Sequence, residues 1–280
     1  MTSRDVQTPK LAVENTDNEV PGLWRRYRRL PRNVVAIGLV SLLNDASSEI
    51  IYPLLPVFLT ATLGASAEAV GIIEGAAESI SSLLKLFAGY ISDRIGRRKW
   101  LVVSGYALAS FVRPFLGFAN NWHQVLAIRL ADRVGKGVRT SPRDAMIADT
   151  VSVEQRGLAF GFHRAMDHAG AVIGPLIGYV LVVLLVVNAT APTRREFTLI
   201  FLLASVPAIL AVLVAVFFMR ESPVPTEQIR KGAAPPRLSL SGFDSNFKRF
   251  LVILALFTLS NSSDSFLILR ARDSGVSILL

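Results

Sequence analysis

Long apolar runs, each closed off by a short polar joint, limit what this chain can become. Six runs qualify, at 33–60, 67–91, 100–119, 122–142, 157–187 and 197–219, and a seventh begins near Phe247. A run of ~20 residues in α-helix spans the ~30 Å hydrocarbon core of a bilayer. Backbone N–H and C=O groups have no water to bind there, so such runs read as helices that satisfy their own hydrogen bonds. Composition agrees: 51% of residues are hydrophobic, only 18% are charged, and the mean hydropathy is +0.46, whereas soluble domains carry about 25% charge. The expectation is an all-α polytopic membrane protein.

The net charge of +9 does not mark a nucleic-acid partner. The basic residues alternate with apolar spans instead of forming one patch, so the lipid bilayer explains them better. With a cytoplasmic N-terminus, inner segments hold twenty cations, from Arg4 and Lys10 through the Arg94–Lys99 joint to Lys248 and Arg249; outer joints hold two, Arg194 and Arg195. That asymmetry predicts a cytoplasmic N-terminus in a plasma (bacterial inner) membrane. Residues 1–32 read as a basic cytoplasmic tail, with Trp24 to Leu30 suited to the headgroup region. No cleavable signal is expected there. Residues 33–219 read as a six-span bundle, 220–246 as a proline-bearing cytoplasmic linker, and 247–280 as a seventh span opening a second bundle. Cysteine is absent, which removes disulfide and thiol chemistry. His123, His163 and His168 lack metal-ligand spacing, and no phosphate loop or nucleophile–base pair suggests an enzyme.

One joint is distinctive: Gly89-Tyr90-Ile91-Ser92-Asp93-Arg94-Ile95-Gly96-Arg97-Arg98-Lys99. Read as an eleven-residue basic turn, it holds spans two and three antiparallel. Gly89 and Gly96 permit close approach and a sharp bend, and Asp93 can pair with an arginine or with a neighbouring helix start. The string G-x-x-x-D-R-x-G-R-R-K between the second and third spans resembles the signature loop of the major facilitator superfamily (MFS). In that reading Gly89, Asp93, Arg94, Gly96, Arg97 and Arg98 form a conformational-switch loop.

Charges inside the spans are the candidate chemistry, since each costs roughly 2.5–3.5 kcal/mol at mid-depth on insertion scales. Asp45 and Glu49 share a face of span one, and Glu74 and Glu78 a face of span two, seven residues before Lys85. Arg113 precedes Pro114, and span four holds Arg129, Asp132, Arg133 and Lys136. Such residues should face a bundle interior or a wet cavity. An embedded carboxylate can take up and release a proton. Asp45, flanked by Asn44, Ser47 and Ser48, is the first candidate; Glu78, Glu49 and Glu74 follow. Arg113, Arg129 and Arg133, with Asn44, are the candidates for holding solute or anion, their forked donors matching carboxylate or phosphate. Asp132 and the span-two glutamates compete for those arginines.

Two further strings fit the resemblance. Span four is similar to R-x-x-Q-G-x-G, with Arg129 and Gly135 matching and with Asp132 and Arg133 replacing the glutamine and first glycine. Span five, Gly170 to Gly178, is similar to the antiporter string G-x-x-x-G-P-x-x-G through Gly170, Gly174, Pro175 and Gly178, with Tyr179 where many members carry glycine. Small residues four apart let helices pack closely, and proline frees a carbonyl and bends the helix. The resemblance implies a truncated MFS fold: a six-helix N-terminal bundle, a linker and the start of a second bundle. It implies alternating access, with proton-coupled export of a small organic solute driven by a proton gradient and no cofactor or metal. Exchange of an anionic or phosphorylated metabolite is the alternative within transport; a non-transporting receptor, scaffold or inactive fragment is the alternative outside it. The chain stops at Leu280, about one span past the linker, so a C-terminal half is expected to be needed for a complete transporter. A faint repeat, Asn44-Asp45 with Ser47-Ser48 in span one and Asn261 to Ser265 in span seven, fits a parallel relation between halves.

Overall fold

The computed structural model describes residues 27, 29–188, 192–221, 239, 241–259 and 263–276. The basic tail up to Arg26, most of the linker and Asn261 of the span-seven string lie outside the described residues. The described chain is helical throughout: α1 Arg32–Ile51, α2 Ala67–Ile95, α3 Arg98–Val112, α4 Trp122–Thr150, α5 Arg156–Leu185, α6 Arg194–Phe218, α7 Ser245–Leu259 and α8 Asp264–Asp273. By length and composition four segments can cross a membrane: Arg32–Thr62, Arg98–Phe118, Val153–Leu185 and Arg194–Phe218. The exceptions among the first six helices, α2 and α4, are the two that carry most of the internal charge.

Local chemistry sets the joints. Pro53 ends α1, and the chain continues through Leu55–Val57 and a π-helical turn at Phe58–Thr62. Ser66 caps α2 by accepting from the Ala69 N–H at 3.4 Å, and Asn121 caps α4 by accepting from the Gln124 N–H at 3.0 Å. Thr193 and Glu196 form a reciprocal capping box on α6. Gly96 closes α2 with φ +67°, a left-handed conformation that glycine adopts without strain.

One expected turn is largely helix. The joint between α2 and α3 is only Gly96-Arg97, because Gly89 to Ile95 stay in α2 and Arg98 opens α3. The charged stretch Arg139 to Asp144, at the end of the fourth apolar run, likewise continues α4 to Thr150 with Pro142 inside. Proline removes one backbone donor; nearby, Thr140 Oγ1 donates to Lys136 O at 2.6 Å and Ser141 Oγ to Lys85 O at 2.7 Å, tying this turn to itself and to α2. The seventh span is described as two helices, α7 and α8.

α1 packs mainly on α5 and α6, and α4 mainly on α2 and α3. Exchanging α1–α3 with α4–α6 maps these principal contacts onto themselves, the pattern of an internal three-helix repeat. Asn33 at the start of α1 donates to Thr150 Oγ1 at 3.3 Å and to Arg220 O at 3.1 Å, so the ends of α4 and α6 lie beside the start of α1. The opposite end holds the main apolar core, where Phe58 meets Phe197 and Phe201 edge-on with ring centroids 5.4 Å from each. The outer faces are apolar too. Leu176, Val183 and Leu184 on α5, and Val206, Ile209 and Phe217 on α6, are exposed, which suits a lipid or a further helix as neighbour.

Candidate functional site

Between α1, α2, α4 and α5 lies a cavity of about 580 Å³, lined mostly by charged and polar side chains. Periodicity explains the lining. Asp45, Ser48, Glu49 and Tyr52 recur on one face of α1, and Arg129, Asp132, Arg133, Lys136 and Arg143 on one face of α4. Lys85 enters from α2, Arg164, Asp167 and His168 from α5, and Asp264 from the start of α8.

A closed ionic cluster forms one wall. Arg113 Nε donates to Asp132 Oδ1 at 3.0 Å, and its Nη1 donates to Asn44 O at 3.2 Å and Ser47 Oγ at 3.1 Å. Arg129 Nη2 reaches both oxygens of Glu74, at 2.9 and 3.1 Å, and Nη1 lies 4.0 Å from Asp132. Arg113, Arg129 and Asp132 are all buried. A buried pair of this kind locks helices and is costly to break by halves. Arg113 and Arg129, expected to hold an anion, are therefore already occupied by protein carboxylates, and Glu74 among the proton candidates is held by Arg129.

The remaining expected residues divide. Asn44 is buried; its amide donates to Asp45 Oδ1 at 2.9 Å. Asp45, Glu49 and Arg133 line the cavity. Glu78 does not line it and is exposed on α2. Arg133 Nε is buried with no hydrogen-bond partner.

Close packing of α5 on α1 positions the acidic wall. A methyl group at Gly170 would meet Leu42 O at 2.5 Å, and one at Gly174 would meet Glu49 Cβ at 2.6 Å. The span-five glycines are thus the surface against which Asp45 and Glu49 are set. Gly178 is looser, with its nearest neighbour, Ile50 O, at 3.5 Å. On the other side, Gly105 and Gly135 bring α3 and α4 together: a methyl group at Gly105 would meet Gly135 O at 2.6 Å, and one at Gly135 would meet Gly105 O at 2.5 Å.

Sequence reasoning missed a buried string above the cavity. Ser41 Oγ lies 2.9 Å from His163 Nε2 and 3.1 Å from Tyr106 Oη, and accepts from Arg143 Nη1 at 3.4 Å. Arg139 stacks 4.4 Å over the Tyr106 ring. In the sequence His163 invites only the metal-ligand question, and a lone histidine on an apolar face carries no other signal. Among the described residues no cluster of metal-ligating side chains exists.

At the α1-start end, the switch-loop residues meet a different set. Arg98 is buried and pairs with Asp93, at 2.9 Å, and with Asp149 of α4. Asp93 thus takes the arginine of its two expected partners, and the α3 backbone N–H groups, the alternative, go to Glu221, which accepts from Arg98 N at 2.7 Å and Lys99 N at 3.1 Å. Arg94 turns back to Tyr90 Oη at 3.1 Å. Arg143 pairs with Asp144 at 3.1 Å, and Arg164 lies 3.8 Å from Asp167.

Comparison with known proteins matches this arrangement. The family model of the Major Facilitator Superfamily matches residues 37–278. An uncharacterised MFS-type transporter of Methanocaldococcus jannaschii is 36% identical over 88% of this chain and 58% of its own length. Multidrug resistance protein MdtG of Proteus mirabilis is 28% identical over 81% of the chain and 53% of its own length. The chain therefore spans about half the length of the curated relatives it matches. The fold is shared with a bacterial homologue of the human lysosomal transporter Spinster, crystallised in an inward-facing and occupied conformation. The TM-score is 0.60 at 20% identity, covering 71% of this chain and 45% of that one. With its helices, its joint motif and this match in agreement, the chain belongs to the Major Facilitator Superfamily.

Proposed function

We propose that this chain supplies the N-terminal bundle of a secondary transporter that works by alternating access and exports a small organic solute in exchange for protons. The observation that carries the reading is the charged cavity of about 580 Å³ at the centre of a bundle whose outer faces are apolar. Charge inside a spanning bundle is expensive, and where it lines a wet cavity it marks a path for polar cargo. Asp45 and Glu49 are the proton sites in this reading, since they line the cavity and have no ion pair, whereas Glu74 is held by Arg129. Glu78, exposed and outside the cavity, ranks below them. In this reading the N-terminus is cytoplasmic and the protein lies in the plasma membrane; the excess of basic residues in the inner segments supports the orientation. A second bundle, from further polypeptide or another chain, completes the path. The similarity to a multidrug resistance protein favours export and no enzymatic step.

Exchange of an anionic solute is the second reading, favoured by Arg133 and Lys136, which line the cavity with no carboxylate within 4.0 Å among the described residues. Flux tests both. The protein, completed by a second bundle, is reconstituted with an internal pH indicator and offered cationic, zwitterionic and phosphorylated solutes. Solute-evoked proton movement that Asp45→Asn abolishes supports proton exchange. Solute movement with no proton movement favours anion exchange, and a folded, completed protein that moves nothing contradicts transport.

A further inference from the structure

Pairing inside the cavity leaves a remainder of charge sorted by helix. Arg113, Arg129, Asp132 and Glu74 neutralise one another. Arg143 is matched by Asp144 and Arg164 by Asp167. Arg139 lies on the Tyr106 ring, and Asp264 sits in the first turn of α8, where the helix dipole favours it. What remains is Asp45 and Glu49 on α1 against Arg133 and Lys136 on α4, with Lys85 of α2 alongside α4, its carbonyl bonded to Ser141.

These two acids and three bases line one cavity, yet none lies within 4.0 Å of an opposite charge among the described residues. Asp45 holds only the Asn44 amide, and the buried Nε of Arg133 holds nothing. The spacings 45/49 and 133/136 put each pair on one helix face. Moreover, α1 and α4 are the helices that the three-helix repeat makes equivalent, so equivalent helices carry opposite sign. The acidic pair and the basic pair line one cavity with no ion pair joining them, although Glu49 of α1 and Glu78 of α2 both lie within electrostatic reach of Arg133 and Lys136.

We infer that the solute of this cavity is a zwitterion, with an ammonium or other cationic group held by Asp45 and Glu49 and a carboxylate or phosphate held by Arg133 and Lys136. The inference rests on the reading of the cavity as the solute site and goes further by fixing the solute's charge pattern. A singly charged solute would leave the other pair desolvated and unsatisfied, which is the expensive outcome. The volume falls in the ordinary range for small-molecule sites, about 300–1,000 Å³.

The test is calorimetric binding to the purified chain with three matched probes: 6-aminohexanoate, hexanoate and hexylamine. The zwitterion should bind about tenfold or more tightly than either singly charged probe, as expected from one charged hydrogen-bonded contact. Asp45→Asn with Glu49→Gln should bring its affinity down to that of hexanoate; Arg133→Gln with Lys136→Gln should bring it down to that of hexylamine. Circular dichroism and thermal unfolding report whether the variants fold; if they do not, the ranking of the three probes on the parent chain decides alone. Hexanoate or hexylamine binding as tightly as 6-aminohexanoate would overturn the inference, as would no binding of any probe to the folded chain. A zwitterion that binds to this chain while the protein completed by a second bundle shows no flux would leave the inference standing and overturn the transport reading. Flux of a singly charged solute in preference to the zwitterion would do the reverse.

Discussion

Gly174 of α5 lies so close to Glu49 of α1 that a methyl group there would stand 2.6 Å from the Glu49 Cβ and 2.7 Å from Ala46 O. The contact is with backbone as well as side chain, so the helices must part to admit it. Gly174→Ala, and Gly170→Ala against Leu42 O, should each destabilise the bundle by about 1–3 kcal/mol. Gly178→Ala, with 3.5 Å to its nearest neighbour, should change stability by less than about 0.5 kcal/mol. Denaturant unfolding of the three variants in detergent checks this; equal effects at all three positions would contradict the packing account.

The Arg113–Asp132 pair makes a second, independent prediction. Both side chains are buried, with Nε to Oδ1 at 3.0 Å. Asp132→Asn should destabilise by about 3–5 kcal/mol, because it leaves Arg113 buried without its charge partner. Arg113→Met combined with Asp132→Leu should recover a good part of that loss. A double variant as unstable as the sum of the singles would show that the pair contributes through something other than mutual neutralisation.

The two glycines of the basic joint should behave differently from each other. Gly96 has φ +67°, where an L side chain is strained by roughly 1–2 kcal/mol. Gly89 is in regular helix with Ser141 at 3.5 Å. Gly96→Ala should lower the unfolding midpoint and Gly89→Ala leave it nearly unchanged. The reverse order would restore Gly89 to the role of a turn residue.

Some of this is visible directly in the sequence, and the rest is hidden for physical reasons. Apolar runs long enough to span a bilayer mark α1, α3, α5 and α6 clearly, because lipid permits little else. α4 is harder, since its charges face a cavity and dilute the apolar signal; its last turns read as a joint because Pro142 and the run Arg139 to Asp144 look like one when the packing of Ser141 against α2 is unseen. The glycines at 170 and 174 are legible as a packing face, but not that the face receives Asp45 and Glu49. That Asp132 and the span-two glutamates compete for the span arginines is legible, and so is an arginine partner for Asp93, but not which pairs form, nor that Asp149 joins Arg98. Asp132, Glu74 and Asp149 are 19, 55 and 51 positions from Arg113, Arg129 and Arg98, and only the helix arrangement brings them together. Glu221 is hidden for the same reason, lying 123 positions from the N–H group it caps.

The measurement that tests the account most directly is thiol labelling in the cavity. The chain has no cysteine, so a single introduced thiol reports without background. Ser48 lines the cavity, whereas Ser81 is fully buried against neighbouring helices. In liposomes open to a charged, membrane-impermeant thiol reagent on both faces, Ser48→Cys should react, Ser81→Cys should stay silent, and 6-aminohexanoate should slow the reaction at Ser48→Cys. A Ser48→Cys variant as inert as Ser81→Cys, or one labelled at the same rate with and without solute, would contradict the claim that this charged cavity is the site where solute binds.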